Sequence, residues 1–162
     1  MQIEIMTTGG TIDKVYFDAK SSYEIGEPQI DDVLRDANLT IDYQITPLLR
    51  KDSLDLNVAD RQLIRNAVLE SSVAKVVMTH GTDTMVETAK FLRGVTGKTI
   101  VLTGSMQPAR FRFTDAIYNI ASAITAVQLL PEGVWIAMNG QIFDPEKSRK
   151  NIEMNRFEII EC

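Results

Sequence analysis

The sequence predicts an α/β fold, with a mainly parallel β-sheet flanked by helices. Two observations carry this prediction. Short apolar runs alternate along the chain with segments whose apolar residues recur at helical spacing. The runs VVMT and TIVLTG are apolar without alternation, as expected for strands that are buried on both faces of a parallel sheet. The length of 162 residues suits one domain, so we interpret residues 1–162 as a single domain of Rossmann- or flavodoxin-like type.

The first half of the chain gives strand and helix signals in alternation. QIEIM predicts a buried strand ending at Thr7 and Thr8, and PQIDDVLRDA predicts a helix with Pro28 in its first turn. TIDYQITPL alternates like a strand, and we expect Pro47 to stop it. NVADRQLIRNAVLESS predicts a second helix because its apolar residues share one face.

The second half continues the pattern. AKVVMT, KTIVLTG and GVWIAMN predict strands, and DTMVETAKFLRGV and TDAIYNIASAITAVQLL predict the helices between them. NGQIF predicts a hairpin turn at Asn139 and Gly140. The last stretch, DPEKSRKNIEMNRFEII, is polar at first and then predicts a further strand.

The composition argues against several classes of function. The formal net charge is −5 and no basic patch stands out, so we expect no nucleic-acid partner. No segment approaches the ~20 apolar residues of a membrane span, and the first residues have no basic start, so we expect a cytoplasmic protein that does not contact membranes. The only cysteine is Cys162 and the only histidine is His80, which argues against a disulfide and against a Cys- or His-rich metal site. We therefore expect neither a metal nor a cofactor.

Three segments follow predicted strands and are rich in glycine and hydroxyl groups: residues 7–11, 79–84 and 103–108. In open α/β sheets, ligands bind outside the carboxyl ends of the strands. We therefore expect these three segments to form one binding region.

Thr11, in TTGGTI, has three open interpretations: a strand-end turn, a phosphate-binding loop, or the seat of a reactive hydroxyl. A phosphate loop should lead directly into a helix, so that the helix dipole faces the phosphate. The residues that follow, IDKVYFDAKSSYEIGEP, favour instead a long loop or a small hairpin, which fits an active-site lid. A threonine nucleophile needs a base, and Tyr23 in this lid or Lys150 could supply it.

Thr82 and Asp83, in THGTDT, lie between a predicted strand and a predicted helix. Either side chain could cap that helix, which is the more common role of such residues. Alternatively, the helix N-terminus could offer its N–H groups to an oxyanion. Lys150, in PEKSRKN, would by base rates be a solvated surface charge, but beside an aspartate in a cleft it could act as a base.

Five motifs in this order resemble the bacterial and archaeal L-asparaginases and related amidotransferase subunits: TTGGTI, SSYEIG, KDSLDL, THGTDTM and GSMQP. The resemblance extends over nearly the whole chain and implies the N-terminal domain of a threonine amidohydrolase. By motif position, Thr11 resembles the nucleophile and Tyr23 its partner in the lid. Thr82, Asp83 and Lys150 resemble a second triad, with Lys150 placed by the segment MNGQIFDPEKSRKN.

The resemblance also implies the substrate-binding residues. Ser53, with the backbone of Leu54, resembles the part that holds the substrate α-carboxylate. Asp83 would also hold the α-amino group, and Gly81 would line the same site. The backbone carbonyl of Ser105 would face the nitrogen of the leaving amide.

Two departures from the family pattern shape the expected function. Asp13 and Lys14 follow TGGTI where family members usually have small residues, and Leu54 stands where a polar, substrate-binding side chain is common. The chain also stops soon after Lys150, so we expect no C-terminal domain and a homo-oligomer, with a dimer favoured, to close the site.

The expected function is hydrolysis of a small amide to a carboxylate and ammonia, with L-asparagine as the first candidate. The alternatives are an amidase that acts on another substrate and a non-catalytic domain that binds a phosphate, a flavin or an amino acid.

Overall fold

The computed structural model of the protein describes residues 1–160. Within this range the chain forms four α-helices and ten β-strands. The helices are α1 (Ile30–Asp36), α2 (Val58–Glu70), α3 (Met85–Phe91) and α4 (Ala116–Leu129). The strands are β1 (Gln2–Gly9), β2 (Lys14–Phe17), β3 (Ser22–Ile25), β4 (Asp42–Lys51), β5 (Lys75–Thr79), β6 (Thr99–Thr103), β7 (Gly133–Met138), β8 (Gln141–Phe143), β9 (Ser148–Asn151) and β10 (Arg156–Ile159). No helix in this part of the chain is long and apolar enough to cross a membrane.

Six strands form the central sheet, in the order β4-β1-β5-β6-β7-β8. Strands β4, β1, β5, β6 and β7 run parallel, and β8 pairs antiparallel with β7 at one edge. Helices α2 and α3 cover one face of the sheet, and α1 and α4 cover the other. The prediction of a mainly parallel sheet flanked by helices is confirmed.

The core consists of two apolar clusters, one on each face of the sheet, because successive side chains of a strand point to opposite faces. Met6 and Met78 belong to the cluster beneath α2 and α3, whereas Ile5 and Val77 belong to the cluster beneath α1 and α4. Fully burying one such side chain contributes about 1.5–3 kcal/mol, so the sheet gives the loops at its carboxyl end a firm support.

The expectation that Pro47 stops its strand is wrong. Strand β4 continues through Pro47 to Lys51, and Pro47 pairs with Thr7 of β1. Strand β4 lies at the edge of the sheet and has no neighbouring strand on one side. A proline is tolerated there because its missing N–H costs no hydrogen bond to a neighbouring strand.

Three other features differ from the expectations. Helix α3 begins at Met85, two residues after Asp83, and β1 extends past Thr8 to Gly9. Of the two forms expected for the lid segment, the structure has the small hairpin, with β2 and β3 paired antiparallel. The C-terminal stretch forms a second hairpin, β9–β10, where the sequence predicted one strand. Cys162 lies outside the described residues.

Candidate active site

Glycine contacts bring together the loops that follow β1, β4 and β5. A Cβ added to Gly10, which has φ +88°, would lie 2.5 Å from Gly81 Cα. A Cβ added to Gly81 would in turn lie 2.6 Å from Ser53 Oγ. These separations are far below van der Waals contact, so only glycine allows the three backbones to approach this closely.

The loop that follows β6 joins the same group. A Cβ on Gly104 would collide with the carbonyl oxygen of His80, and the N–H of Ala109 donates to the carbonyl oxygen of Ile12 at 3.0 Å. Ser105, in this loop, is buried. We call the residues at this end of the sheet, Gly9–Thr11, Ser53, His80–Asp83 and Gly104–Met106, the floor of the site.

Lys150 reaches the floor from strand β9. Its Nζ lies 2.7 Å from Thr82 Oγ1 and 2.7 Å from Asp83 Oδ1, and its side chain is only 13% exposed. Lys150 pairs with Phe157 of β10, whose buried ring packs against Phe143 at a centroid distance of 6.2 Å. The core contact of Phe157 therefore fixes the hairpin that presents the lysine.

The capping interpretation of Thr82 and Asp83 is wrong. The N-cap of α3 is Thr84, no side chain caps the helix, and the Thr84 hydroxyl donates to the carbonyl of Ser53 at 2.8 Å. Because α3 begins at Met85, the N–H of Thr82 precedes the helix by three residues and lies outside its first turn.

Thr11 begins a short 3-10 helix, Thr11–Asp13, which leads directly into β2. This loop therefore does not lead directly into an α-helix, as a phosphate-binding loop would. In the described part of the chain, no hydrogen bond joins the hydroxyl of Thr11 to Tyr23. The Tyr23 ring packs 5.3 Å from Tyr16 and 5.9 Å from Phe111, and half of the residue is exposed.

The KDSLDL loop presents one free polar group. Ser53 is buried, and its Oγ has no hydrogen-bond partner among residues 1–160. The backbone N–H of Leu54 already donates to Asp52 Oδ1 at 3.1 Å, and the Leu54 side chain is 70% exposed. The hydroxyl of Ser53, rather than the backbone of Leu54, is therefore available to an anionic ligand.

No role was predicted for Asp13 or His80, and both are buried at this end of the sheet. Burial raises the pKa of Asp13 to about 7, against the lowering effects of the Gln29 N–H bond and of Arg50. The Asp13 carboxylate accepts from Gln29 N at 2.9 Å, and its backbone oxygen accepts from Gly26 N at 2.8 Å. Asp13 thus joins the two ends of the lid hairpin.

Burial lowers the pKa of His80 to about 4, so its ring is neutral near pH 7. Its Nδ1 lies 2.7 Å from the carbonyl oxygen of Gly81, so that nitrogen carries the proton and donates it. His80 therefore supports the floor backbone. Across residues 1–160, no three His, Cys, Asp or Glu side chains are grouped to hold a metal ion.

The family model and the similar proteins all indicate the same family. The family model described as "Asparaginase, N-terminal" matches residues 2–159. A glutaminase-asparaginase of Acinetobacter glutaminasificans is 32% identical, over 94% of this chain and 50% of its own length. A probable periplasmic L-asparaginase of Haemophilus influenzae is 30% identical, over 86% of this chain and 43% of its own.

Solved structures agree with these relatives. The thermostable L-asparaginase from Thermococcus kodakarensis has a TM-score of 0.84 at 26% identity, covering 98% of this chain and 51% of that chain. The probable cytoplasmic L-asparaginase from Campylobacter jejuni has a TM-score of 0.80 at 25% identity, covering 98% and 52%. The chain spans about half the length of the curated relatives it matches.

Proposed function

This chain belongs to the asparaginase family, and from that premise we propose that it is an amidohydrolase with a threonine nucleophile. It converts a small amide to a carboxylate and ammonia, and L-asparagine is the first substrate to test. The observation that carries the proposal is the pair of 2.7 Å contacts from Lys150 Nζ to Thr82 Oγ1 and Asp83 Oδ1. A largely buried lysine held between a hydroxyl and a carboxylate is suited to proton transfer.

In the first step, the Thr11 hydroxyl oxygen attacks the amide carbonyl carbon and its proton passes to a base. The contact between Gly10 and Gly81 sets the Thr11 turn against the loop of Thr82, which supports transfer towards the Thr82–Lys150 pair. Tyr23 in the lid is the second candidate acceptor. The C–N bond then breaks, the nitrogen takes up a proton and leaves as ammonia, and the acyl group remains as an ester on Thr11.

In the second step, water attacks this ester and releases the carboxylate, which restores the Thr11 hydroxyl. Asp83 holds Lys150, and Lys150 orients the Thr82 hydroxyl, so the three groups act together on the proton that moves in each step. The N–H of Thr82 remains the proposed donor to the oxyanion, although it receives no support from a helix dipole.

Substrate binding rests on the same loops. We assign the substrate α-carboxylate to the Ser53 hydroxyl, the α-amino group to Asp83 and the floor beneath them to Gly81. The apolar Leu54 side chain offers no further hydrogen bond, so we expect a high Michaelis constant for asparagine and tolerance of altered amides. This feature favours the second candidate function, an amidase that acts on another substrate.

An ammonia-release screen over asparagine, glutamine and related amides tests the proposal. We expect release by the wild-type chain, a loss of at least about 100-fold in Lys150→Met, and full activity in the matched control Lys147→Met, an exposed lysine of the same segment. A wild-type chain that binds an amide in calorimetry but releases no ammonia would instead be a binding domain.

Location and assembly are parts of the same proposal. We propose a cytoplasmic protein, like the Campylobacter jejuni relative by its name, while the name of the Haemophilus influenzae relative points to the periplasm. We also propose a homodimer, supported by the exposed apolar side chains of Ile117 and Tyr118 on α4. Cell fractionation and light scattering test the two statements separately.

A further inference from the structure

Asp115 and Asn119 form a polar pair at the start of α4, whose buried face is otherwise apolar. Asn119 is 1% exposed, and its Nδ2 lies 2.9 Å from the carbonyl oxygen of Gly104 and 3.1 Å from Asp115 Oδ2. A buried amide is costly unless it is hydrogen-bonded. The hydrogen bonds of Asn119 therefore join it to Asp115 and to the loop that follows β6.

Asp115 occupies the N-cap position of α4 but does not cap it. Its carboxylate accepts from the N–H of Met106 at 2.9 Å and from the N–H of Gln107 at 3.0 Å. The first N–H of the helix, that of Ala116, donates instead to Thr114 Oγ1 at 3.1 Å. The carboxylate that would ordinarily cap this helix thus binds the backbone N–H groups of residues 106–107 instead.

These contacts bracket Ser105. Asn119 holds the carbonyl of Gly104 on one side, Asp115 holds the N–H of Met106 on the other, and the Ser105 hydroxyl donates to the carbonyl of Gln107 at 2.5 Å. Ser105 is 1% exposed, yet its own carbonyl oxygen accepts no hydrogen bond from any of residues 1–160. Buried carbonyl groups almost always have a partner, so this oxygen has an acceptor site to offer to a ligand.

We propose that Asp115 and Asn119 are positioning residues, which hold the Ser105 carbonyl oxygen where it accepts a hydrogen bond from the nitrogen of the scissile amide. The inference rests on the proposed function, because it assumes that an amide nitrogen occupies this part of the site. The pair itself contacts neither substrate nor nucleophile, and it acts through the backbone of residues 104–107.

This assignment has a chemical signature. An amide nitrogen carries hydrogens that it can donate to the Ser105 carbonyl, whereas the alkoxy oxygen of an ester carries none. Displacing the carbonyl therefore removes an interaction that amide substrates make and ester substrates lack. A change that only loosened the fold would slow both classes equally.

The test compares kcat/KM for the amide that the wild-type protein hydrolyses fastest with kcat/KM for the methyl ester of the same acid. In Asp115→Asn, we expect the amide value to fall about tenfold, as for the loss of one well-oriented hydrogen bond, and the ester value to stay within about twofold. Asn119→Ser removes the Nδ2 contacts with both Gly104 and Asp115 but leaves the Asp115 carboxylate on Met106 and Gln107. It provides a second variant if Asp115→Asn does not fold, and it should shift the ratio about threefold. Ser122→Ala, on the same helix but bonded only to the Tyr118 carbonyl, is the matched control.

The outcomes separate two kinds of failure. A wild-type protein that hydrolyses amides, with variants that slow amide and ester equally or not at all, would overturn the positioning role and leave the proposed function standing. A wild-type protein that releases no ammonia from any amide would overturn the proposed function, and this inference with it.

Discussion

The floor of the site and the lid hairpin are held in different ways. The floor is buried, and its loops are pressed together at glycines, where a single added carbon would collide with a neighbouring backbone or with Ser53. The lid hairpin, residues 14–25, is attached by the partly exposed ion pair Lys14–Asp52 at 3.6 Å and by the contact of Tyr23 with Phe111. Exposed ion pairs contribute at most about 1 kcal/mol each. We therefore expect the floor to be rigid and the lid to open at little cost.

The largest effect should come from Thr11, the floor residue that we propose as the nucleophile. In Thr11→Val we expect hydrolysis to fall by at least about 1,000-fold, because no other group can replace a covalent nucleophile. Ammonia release measures it, and circular dichroism checks that the fold is intact. The exposed Thr96→Val is the control. Retention of more than about a tenth of the wild-type rate would remove Thr11 from the mechanism.

The second effect tests whether the floor acts as one unit. Lys150→Met and Thr82→Val should each lower kcat/KM by about 100- to 1,000-fold, and the double variant should lose little more than either single variant. The reason is that both substitutions break the same 2.7 Å contact. Losses that multiply in the double variant would mean that the two side chains work independently.

A third prediction compares the two regions directly, through two glycines with ordinary backbone angles. Gly81→Ala should lower the free energy of unfolding by about 2 kcal/mol or more, because its Cβ would meet Ser53 at 2.6 Å in a packed floor. Gly26→Ala, at the base of the lid, would meet the Val15 side chain at 2.9 Å, which can rotate away, so we expect a loss below about 1 kcal/mol. Urea denaturation measures both. Equal losses would mean that the floor is no more rigid than the lid.

A fourth prediction concerns Asp13, where the two regions meet. Because the pKa of Asp13 is raised from 3.8 to about 7 in the folded protein, the folded state binds more protons than the unfolded state between these values. The contribution of Asp13 to stability therefore falls as the pH rises from about 4 to about 7. In Asp13→Asn this loss disappears, so the variant should be more stable than wild type by about 1–4 kcal/mol at pH 8, with no such gain at pH 4.

The measurement is the difference in urea midpoint between wild type and Asp13→Asn at several pH values. Taking this difference removes the opposite contribution of His80, whose lowered pKa makes stability rise with pH from about 4 to 6.5. A difference that does not change with pH would show that the Asp13 carboxyl titrates normally.

The smallest effect should come from the lid attachment. Lys14→Met removes the 3.6 Å pair with Asp52, both of whose side chains are about one-third exposed. We expect a change of less than about threefold in KM for the preferred amide, and less than that at high salt, where the pair is screened. A tenfold or larger change would mean that the lid is held as firmly as the floor.

The sequence predicted the sheet well because its signals are local. The unalternating runs of β5 and β6 require burial on both faces, and the structure provides it. The expectation that Pro47 ends its strand was wrong because the strand lies at the edge of the sheet, and strand order cannot be predicted from a local sequence pattern. Helix α3 starts late because Thr82 and Asp83 bind a lysine 67 or 68 residues away instead of capping the helix. Only the family resemblance suggested that Lys150 belongs with them.

The roles of Asp13, Asp115 and Asn119 were not predicted, although the sequence held weak signals. Asp13 is a charged residue directly after the TTGGTI motif, and Asn119 is a polar residue on the apolar stripe of α4. Such signals show that a side chain has a partner without showing which one. The partners lie in other elements, and only the packing of α1 and α4 against the loops brings them into contact.

The anchoring of Lys150 by Phe157 has a consequence for the protein during its synthesis. A nascent chain that has emerged as far as Met138 already contains the five parallel strands, together with Thr11, Thr82 and Asp83. It does not yet contain Lys150, whose amine contacts Thr82 and Asp83 in the folded protein. The lysine can be held in place only after Phe157 has left the ribosome and packed beside Phe143. Thr82 and Asp83 therefore gain this partner only after the β9–β10 hairpin has docked, and the proposed site is incomplete in the growing chain until then.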